Sequence, residues 1–271
     1  MKNILLIGCG HMGNSLLIAW SKINSYSISV VDPKVNLIIS TLEKNKRIKV
    51  YKNITDINKN NKFKFIVLAV KPLDLNKVIK NIKNYNFEKN SVLISVIAGK
   101  KIKVFQNNLQ NIRQIVRVMP NMPASIGEGM NCIVKNKFTT KSNLKEINKL
   151  FKYTGKTIIL DNEKQIDMAT AISGSGPGFV FNLVDAMEKS AVSLGFNKNI
   201  ANTLVTQTFN GSISLLVKKN ISAEKLVQTV ATKGGTTEAG LKVMKQNKMH
   251  EIFKKLVKSS YKKAKQQGED E

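Results

Sequence analysis

The residues best suited to do chemistry sit in small clusters rich in glycine, serine and threonine. The first is Gly8-Cys9-Gly10-His11-Met12-Gly13. In a G-x-G-x-x-G spacing the first glycine permits a tight turn, the second lets backbone approach a pyrophosphate, and the third lets helix and strand pack closely. The N–H groups of the helix that follows then face the phosphates. Asp32 lies 19 residues after Gly13, where a carboxylate can accept from a ribose 2′-OH and repel a 2′-phosphate. That favours NADH. Lys34, two residues on, can offset the repulsion, so NADPH stays open and the cofactor is read as NAD(P)H.

Four further stretches carry candidate chemistry. Ala69-Val70-Lys71-Pro72 and Met119-Pro120-Asn121-Met122-Pro123 each end an apolar run, and open α/β sheets hold ligands at the carboxyl ends of their strands. Ser173-Gly174-Ser175-Gly176-Pro177 and Lys233-Gly234-Gly235-Thr236-Thr237 read as small-residue turns entering helices, able to offer N–H groups and hydroxyls to a carboxylate. Each also has a plain structural reading. Lys71 can be a strand-end charge, and Ser173 and Ser175 can be helix caps.

These clusters need elements to position them. Apolar runs at Lys2–Ile7, Ser27–Val31, Phe65–Val70, Ser91–Ile97 and Ile112–Met119 read as buried strands, with helices at Asn14–Lys22 and Val35–Lys44. That alternation predicts a Rossmann-type, parallel, doubly wound α/β sheet over residues 1–163. Beyond it the pattern turns helical, with stretches at Ile166–Ile172, from Pro177 onward, at Ile200–Val217 and at Ala239–Gln266. Gln266–Glu271 is expected to fray. Several of these helices are apolar around much of their circumference and need more cover than one small domain provides. Residues 164–271 are therefore expected to form an all-helical domain that buries itself in a homodimer.

Composition narrows the class. The chain has 271 residues and a net charge of +26. Its lysines are spread along the whole length, aromatics are 6%, and no stacking motif interleaves with them, so no nucleic-acid partner is expected. Cys9 and Cys132 are too few for a disulfide framework, and with His11 and His250 they make no zinc cage, so no metal is expected. No apolar run approaches the ~20 residues of a membrane helix. A cytoplasmic, membrane-free protein whose fold starts at Met1 is the expectation.

Taken together, the five stretches resemble those of pyrroline-5-carboxylate reductases. The matching residues are Ile7 to Gly13, Ala69-Val70-Lys71-Pro72, Arg117-Val118-Met119-Pro120-Asn121, Ser173-Gly174-Ser175-Gly176-Pro177 and Gly234-Gly235-Thr236-Thr237. The resemblance implies reduction of 1-pyrroline-5-carboxylate to L-proline by hydride from NAD(P)H. It also implies a dimer whose helices interlock, with assembly into decamers left open. Cofactor contacts then fall on Gly8, Cys9, Gly10, His11, Met12, Gly13, Asp32, Lys34, Asn53, Ala69, Val70, Lys71, Pro72, Ile97, Ala98 and Gly99. Substrate contacts fall on Ser175, Gly176, Pro177, Gly234, Gly235, Thr236 and Thr237, with the Thr237 hydroxyl as the catalytic hydrogen-bonding group. The chain departs from the family pattern at Met122, Thr229, Thr232 and Lys233. The rival readings are a related Rossmann reductase of a 3-hydroxyacid or another imine, with Lys189 as the hydroxyacid enzyme's acid/base, and a basic nucleotide-sensing or nucleic-acid-binding module without turnover.

Overall fold

The computed structural model describes residues 2–34, 37–44, 47–58, 60–83 and 85–269. Its elements run β1 (Lys2–Ile7), α1 (His11–Ser21), β2 (Tyr26–Val31), α2 (Leu37–Glu43), β3 (Ile48–Tyr51), β4 (Phe65–Leu68), α3 (Leu75–Ile82), β5 (Val92–Ser95), α4 (Ile102–Asn108) and β6 (Gln114–Met119). They continue with β7 (Gly129–Lys135), α5 (Lys141–Phe151), β8 (Gly155–Ile159), α6 (Glu163–Ala169), α7 (Gly176–Ser193), α8 (Lys198–Lys219), α9 (Ala223–Val230), α10 (Thr236–Gln246) and α11 (Met249–Glu269). The chain forms two compact units. One runs up to Ser175 and takes in the chain again from Ser260, and the other is Gly176–Ser259.

In the first unit the strands make one sheet in the order β3-β2-β1-β4-β5-β6-β7-β8. The reversal of strand order lies between β1 and β4, where Rossmann-type sheets bind dinucleotides. Alternate residues of β1 explain its unbroken apolar run. Ile4 and Leu6 join one buried cluster with Leu16, Leu17 and Trp20 of α1. Leu5 and Ile7 join another with Ile79 and Ile82 of α3 and Phe105 of α4. Both faces of the strand are thus covered, which is what a central parallel strand requires.

The expected strands are present with shorter ends. Phe65–Val70 closes as a strand at Leu68, and Ser91–Ile97 is a strand only over Val92–Ser95. One further residue on each, Ala69 and Val96, stays hydrogen-bonded to its neighbour, and the chain beyond forms the loops of the site. The expected helix from Val35 starts at Leu37 among the described residues, and Val35 itself lies outside them. The sheet is not parallel throughout, because β6 and β7 pair antiparallel. The strands β3, β7 and β8 add to those read from apolar runs.

Three helical expectations change. Ala239–Gln266 is two helices, since Lys248 takes a left-handed backbone (φ 52°) between α10 and α11. The tail from Gln266 stays helical through Glu269, with Ala264 and Gly268 buried. The expected turn at Ser173–Gly176 is helical as well. Thr170–Gly174 forms a π-helical turn running from α6 toward α7, and Ser175 N donates to Thr170 O at 2.9 Å.

The second unit is all helix. Among its described residues only Ala201 and Val205 are buried. Phe181, Met187, Leu194, Ile213, Val230 and Val243 are exposed.

Candidate functional site

Sheet register assembles one half of the site. Ile7 lies level with Val31 and Leu68, Val31 with Tyr51, and Leu68 with Ser95. The ladder continues one step past each strand. Gly8 N donates to Val31 O, Asp32 N to Tyr51 O, Ala69 N to Ile7 O and Val96 N to Leu68 O, at 2.8–3.1 Å. Gly8, Asp32, Ala69 and Val96 therefore form a row at the carboxyl ends of the strands. Asn53 follows from β3, and Ile97, Ala98 and Gly99 follow from β5.

The glycine loop is shaped by close approach. Gly8 has φ +92°, and a Cβ there would come within 2.7 Å of Val70 Cγ1 and 2.8 Å of the Ala69 carbonyl carbon. Gly10 is the reverse case, with nothing within 4 Å of where its Cβ would sit. No side chain caps α1. An open surface at the second glycine, directly before an uncapped helix start, fits the pyrophosphate of a dinucleotide.

Asp32 is bound into this loop. Its Oδ2 accepts from Cys9 N at 2.6 Å, and its Oδ1 accepts from Lys34 N at 2.8 Å. One carboxylate thus ties the glycine loop to the turn after β2. Burial, with Asp32 adding, pushes the Cys9 thiol up to about 12. Burial raises Cys132 as well, against a hydrogen bond with Ser173. Neither cysteine has the thiolate a nucleophile needs at neutral pH.

The neighbouring loops are held in different ways. Lys71 is exposed on extended backbone, and Pro72 opens a short 3₁₀ turn. Asn53 is exposed, with its N–H donating to Asp56 Oδ2 at 2.9 Å. Gly99 (φ +76°) packs against the last turn of α11, where an added Cβ would meet Gln267 O at 2.9 Å.

Two residues of the matching stretch Arg117–Asn121 have partners that the sequence reading did not assign. Arg117 on β6 is buried, with Nη1 3.2 Å from Glu163 Oε1 and Nη2 3.8 Å from Asp167 Oδ1 on α6. Glu163 Oε1 also accepts from Ile102 N at 3.0 Å. The signal was available: an arginine inside the apolar strand Ile115-Val116-Arg117-Val118 must find carboxylates. The second is Asn121. Its Nδ2 donates to Ser173 O at 3.0 Å, and its Oδ1 accepts from Met130 N at 2.8 Å.

The remaining expected contacts fall elsewhere in the chain. Ser175 ends the first unit, and Gly176 and Pro177 start α7 in the second. Gly234 (φ +75°) and Gly235 lead into α10, with Gly235 as its uncapped N-cap. Gly234 N donates to Glu238 Oε2 at 2.8 Å, and the same oxygen pairs with Lys242 Nζ at 3.6 Å. Thr236 and Thr237 are exposed in the first turn of α10. An uncapped helix start with two hydroxyls can hold a carboxylate and offer a donor to a second polar atom. Lys189, the acid/base of the hydroxyacid reading, is an exposed side chain paired with Asp185 at 2.7 Å.

A groove of about 960 Å³ lies at the other end of the strands, lined by Lys2, Tyr26, Lys145 and Glu146 among others. Ligands of open α/β sheets bind at the carboxyl ends, so this groove is set apart from the site. Among the described residues no helix is long and apolar enough to cross a membrane.

Comparison with known proteins gives the context. Residues 163–267 match the family model for pyrroline-5-carboxylate reductase dimerisation. Residues 3–99 match the model described as NADP oxidoreductase, coenzyme F420-dependent. Pyrroline-5-carboxylate reductase 2 of Bacillus subtilis is 30% identical over 260 residues, covering 93% of this chain and 90% of its own. A reductase of that name from Haemophilus influenzae is 30% identical, covering 89% of each. Among solved structures, the Coxiella burnetii pyrroline-5-carboxylate reductase superposes with TM-score 0.89 at 26% identity, over 98% of both chains. The Plasmodium falciparum pyrroline carboxylate reductase, solved with NADP bound, gives 0.84 at 27% identity over 99% of this chain and 98% of that one.

Proposed function

The chain belongs to the pyrroline-5-carboxylate reductase family, and on that premise we propose that it reduces 1-pyrroline-5-carboxylate to L-proline with NAD(P)H. The observation that carries this reading is the pairing, in one chain, of a dinucleotide loop open at Gly10 with a hydroxyl-bearing helix start at Gly235–Thr237 that no side chain caps at Gly235.

The first unit supplies the cofactor half. The N–H groups at the start of α1 bind the pyrophosphate, and the loops at Ala69–Pro72 and Ile97–Gly99 bound the dinucleotide along the strand ends. Asn53 and Lys34 serve the adenosine side. Both oxygens of Asp32 already accept backbone N–H groups, and Lys34 stands beside it, so NADPH is accepted as well as NADH. The NADP held by the Plasmodium relative supports this.

The substrate contacts are Ser175, which ends the first unit, Gly176 and Pro177, which start the second, and the turn before α10. Backbone N–H groups of Gly234, Gly235 and Thr236 hold the carboxylate once Gly234 N leaves Glu238 and Gly235 N leaves Thr232 O, and Lys233 adds attraction. The bound nicotinamide supplies hydride to C5 of the ring. The Thr237 hydroxyl hydrogen-bonds the ring nitrogen. No strong acid is required of the protein, since an iminium can arrive already protonated. The chain's task is then position and electrostatics. The protein works as a cytoplasmic homodimer through its helical part, with the functional boundary near 163/164.

The test is loss of reduced-nicotinamide absorbance on mixing protein with 1-pyrroline-5-carboxylate, with NADH and NADPH in parallel. Substrate-dependent oxidation is expected with both. Folded, dimeric protein that oxidises neither would move the reading to another imine or a hydroxyacid. Thr237→Ala should lower kcat about 10- to 100-fold with cofactor affinity kept, and unchanged turnover would remove Thr237 from the mechanism.

A further inference from the structure

We infer that Asn121 is a positioning residue that sets the register of the Ser173–Ser175 turn, and through it the grip on substrate. The inference rests on the proposed role of Ser175 in substrate contact and extends it to a side chain on a different element.

The turn is short of one backbone donor. In an α-helix the carbonyl of Ser173 would accept from the backbone N–H of residue 177. Residue 177 is proline, which has no N–H. The Ser173 carbonyl therefore lacks its ordinary partner, and Asn121 Nδ2 takes that place at 3.0 Å. The same amide is held at its other end, because Oδ1 accepts from Met130 N of β7 at 2.8 Å. The side chain spans from sheet to turn with donor and acceptor each used once.

The turn itself has an unusual register. Thr170–Gly174 is π-helical, closed by Ser175 N on Thr170 O. Such insertions commonly mark functional sites and re-aim the residues that follow. Gly174 lies so near β6 that a Cβ there would be 3.0 Å from Met119 Cε. Ser173 Oγ donates to Ala169 O at 2.9 Å and lies 3.9 Å from Cys132 Sγ. Met119 and Cys132 are paired across β6 and β7. The turn is thus laid on the end of that strand pair, and Asn121 is the polar link that fixes its carbonyl.

The chemistry of the amide provides its own test. In Asn121→Asp, an ionised carboxylate still accepts from Met130 N but repels the Ser173 carbonyl. A protonated carboxyl restores both bonds, donating O–H to Ser173 O. Hydrogen bonding to the neutral form raises a carboxyl's pKa from its ordinary value of about 3.9. The activity of the variant relative to the parent should therefore rise as pH falls.

The experiment measures kcat and KM for 1-pyrroline-5-carboxylate, and cofactor Kd by nicotinamide fluorescence, for the parent and Asn121→Asp from about pH 5 to about pH 8. The expected result is kcat/KM about tenfold below the parent at the upper end, carried mainly by KM. The deficit should shrink toward the acid end, with cofactor Kd within about twofold throughout. A variant-to-parent ratio independent of pH would overturn the role. If Asn121→Asp does not fold, Asn121→Ala carries the test, and a KM for the imine equal to the parent's would overturn it. A parent enzyme that does not turn over the imine at all instead sinks the functional reading on which the inference rests.

Discussion

At the residue scale the dinucleotide loop depends on three residues, Gly8, Gly10 and Asp32, whose surroundings a spacing alone does not reveal. Gly8 and Gly10 differ in kind, one crowded by Ala69 and Val70 and the other open. Asp32 ties Cys9 N to Lys34 N, so its loss loosens the loop that either cofactor uses. Asp32→Ala should raise the Kd of NADH and of NADPH by similar factors, about tenfold. A gain in NADPH affinity with a loss in NADH would show that the carboxylate acts on the ribose alone. The thiol beside it sets a pH limit. Cys9 favours its neutral form in the fold, being pushed up to about 12, against about 8.5 when unfolded. The stability it contributes is complete below the unfolded value and is lost as pH rises through the folded one. Iodoacetamide at about pH 8 should accordingly leave Cys9 and Cys132 unmodified in native protein and label both after denaturation, as mass spectrometry would read. The glycine loop was legible because Gly8 needs a left-handed backbone and a close approach that no side chain fits, and its spacing to Gly10 and Gly13 marks the loop. The partners of Asp32 were not, because spacing fixes where a carboxylate lies and not which N–H it accepts.

At the element scale, α6 is fastened to the sheet by charge. Arg117 is buried between Glu163 and Asp167, and removing one partner of such a group leaves the others uncompensated. Arg117→Ala should cost about 3 kcal/mol, read as a lower denaturation midpoint. Arg117→Met, which fills the volume but leaves the carboxylates unpaired, should recover only part of it. Full recovery would mean that packing rather than charge carries the effect. The end of α11 meets the loop after β5 at Gly99. Gly99→Ala adds a methyl against Gln267 O on a left-handed backbone, and should weaken cofactor binding several-fold while leaving the turn at Gly234 untouched. Normal cofactor affinity would detach this loop from the site. The sequence had marked the tail as polar and therefore frayed. Its helix is kept by Ala264 and Gly268, small residues whose burial no polarity pattern signals. β8 was missed for a similar reason, since Ile158 and Ile159 are about half exposed and its pattern does not alternate cleanly. β1 and β4 were legible because burial on both faces leaves an unbroken apolar run.

At the scale of the whole molecule, the second unit cannot be the surface that water sees. Only Ala201 and Val205 are buried among its described residues, while Phe181, Leu194, Ile213 and Val230 are exposed. Helices with that much uncovered apolar area seek a partner, in keeping with the dimerisation model matched over residues 163–267. Light scattering after size exclusion should give at least twice the 30.2 kDa of the chain, and a stable monomer at micromolar concentration would contradict the dimer. The helical half was legible as a class because strand-like apolar runs stop near residue 164 and apolar residues then recur at helical spacing. Its helix boundaries were not, since the left-handed Lys248 that separates α10 from α11 carries no glycine or proline to announce it. The proposed reaction is hydride transfer to the ring carbon of a cyclic imine. The most direct measurement uses nicotinamide carrying deuterium at the transferred position, mixed with 1-pyrroline-5-carboxylate and enzyme, with the product analysed by mass spectrometry and NMR. The product should be L-proline with one deuterium at C5. Oxidation of the cofactor without label in proline, or no oxidation by folded dimer, would contradict it.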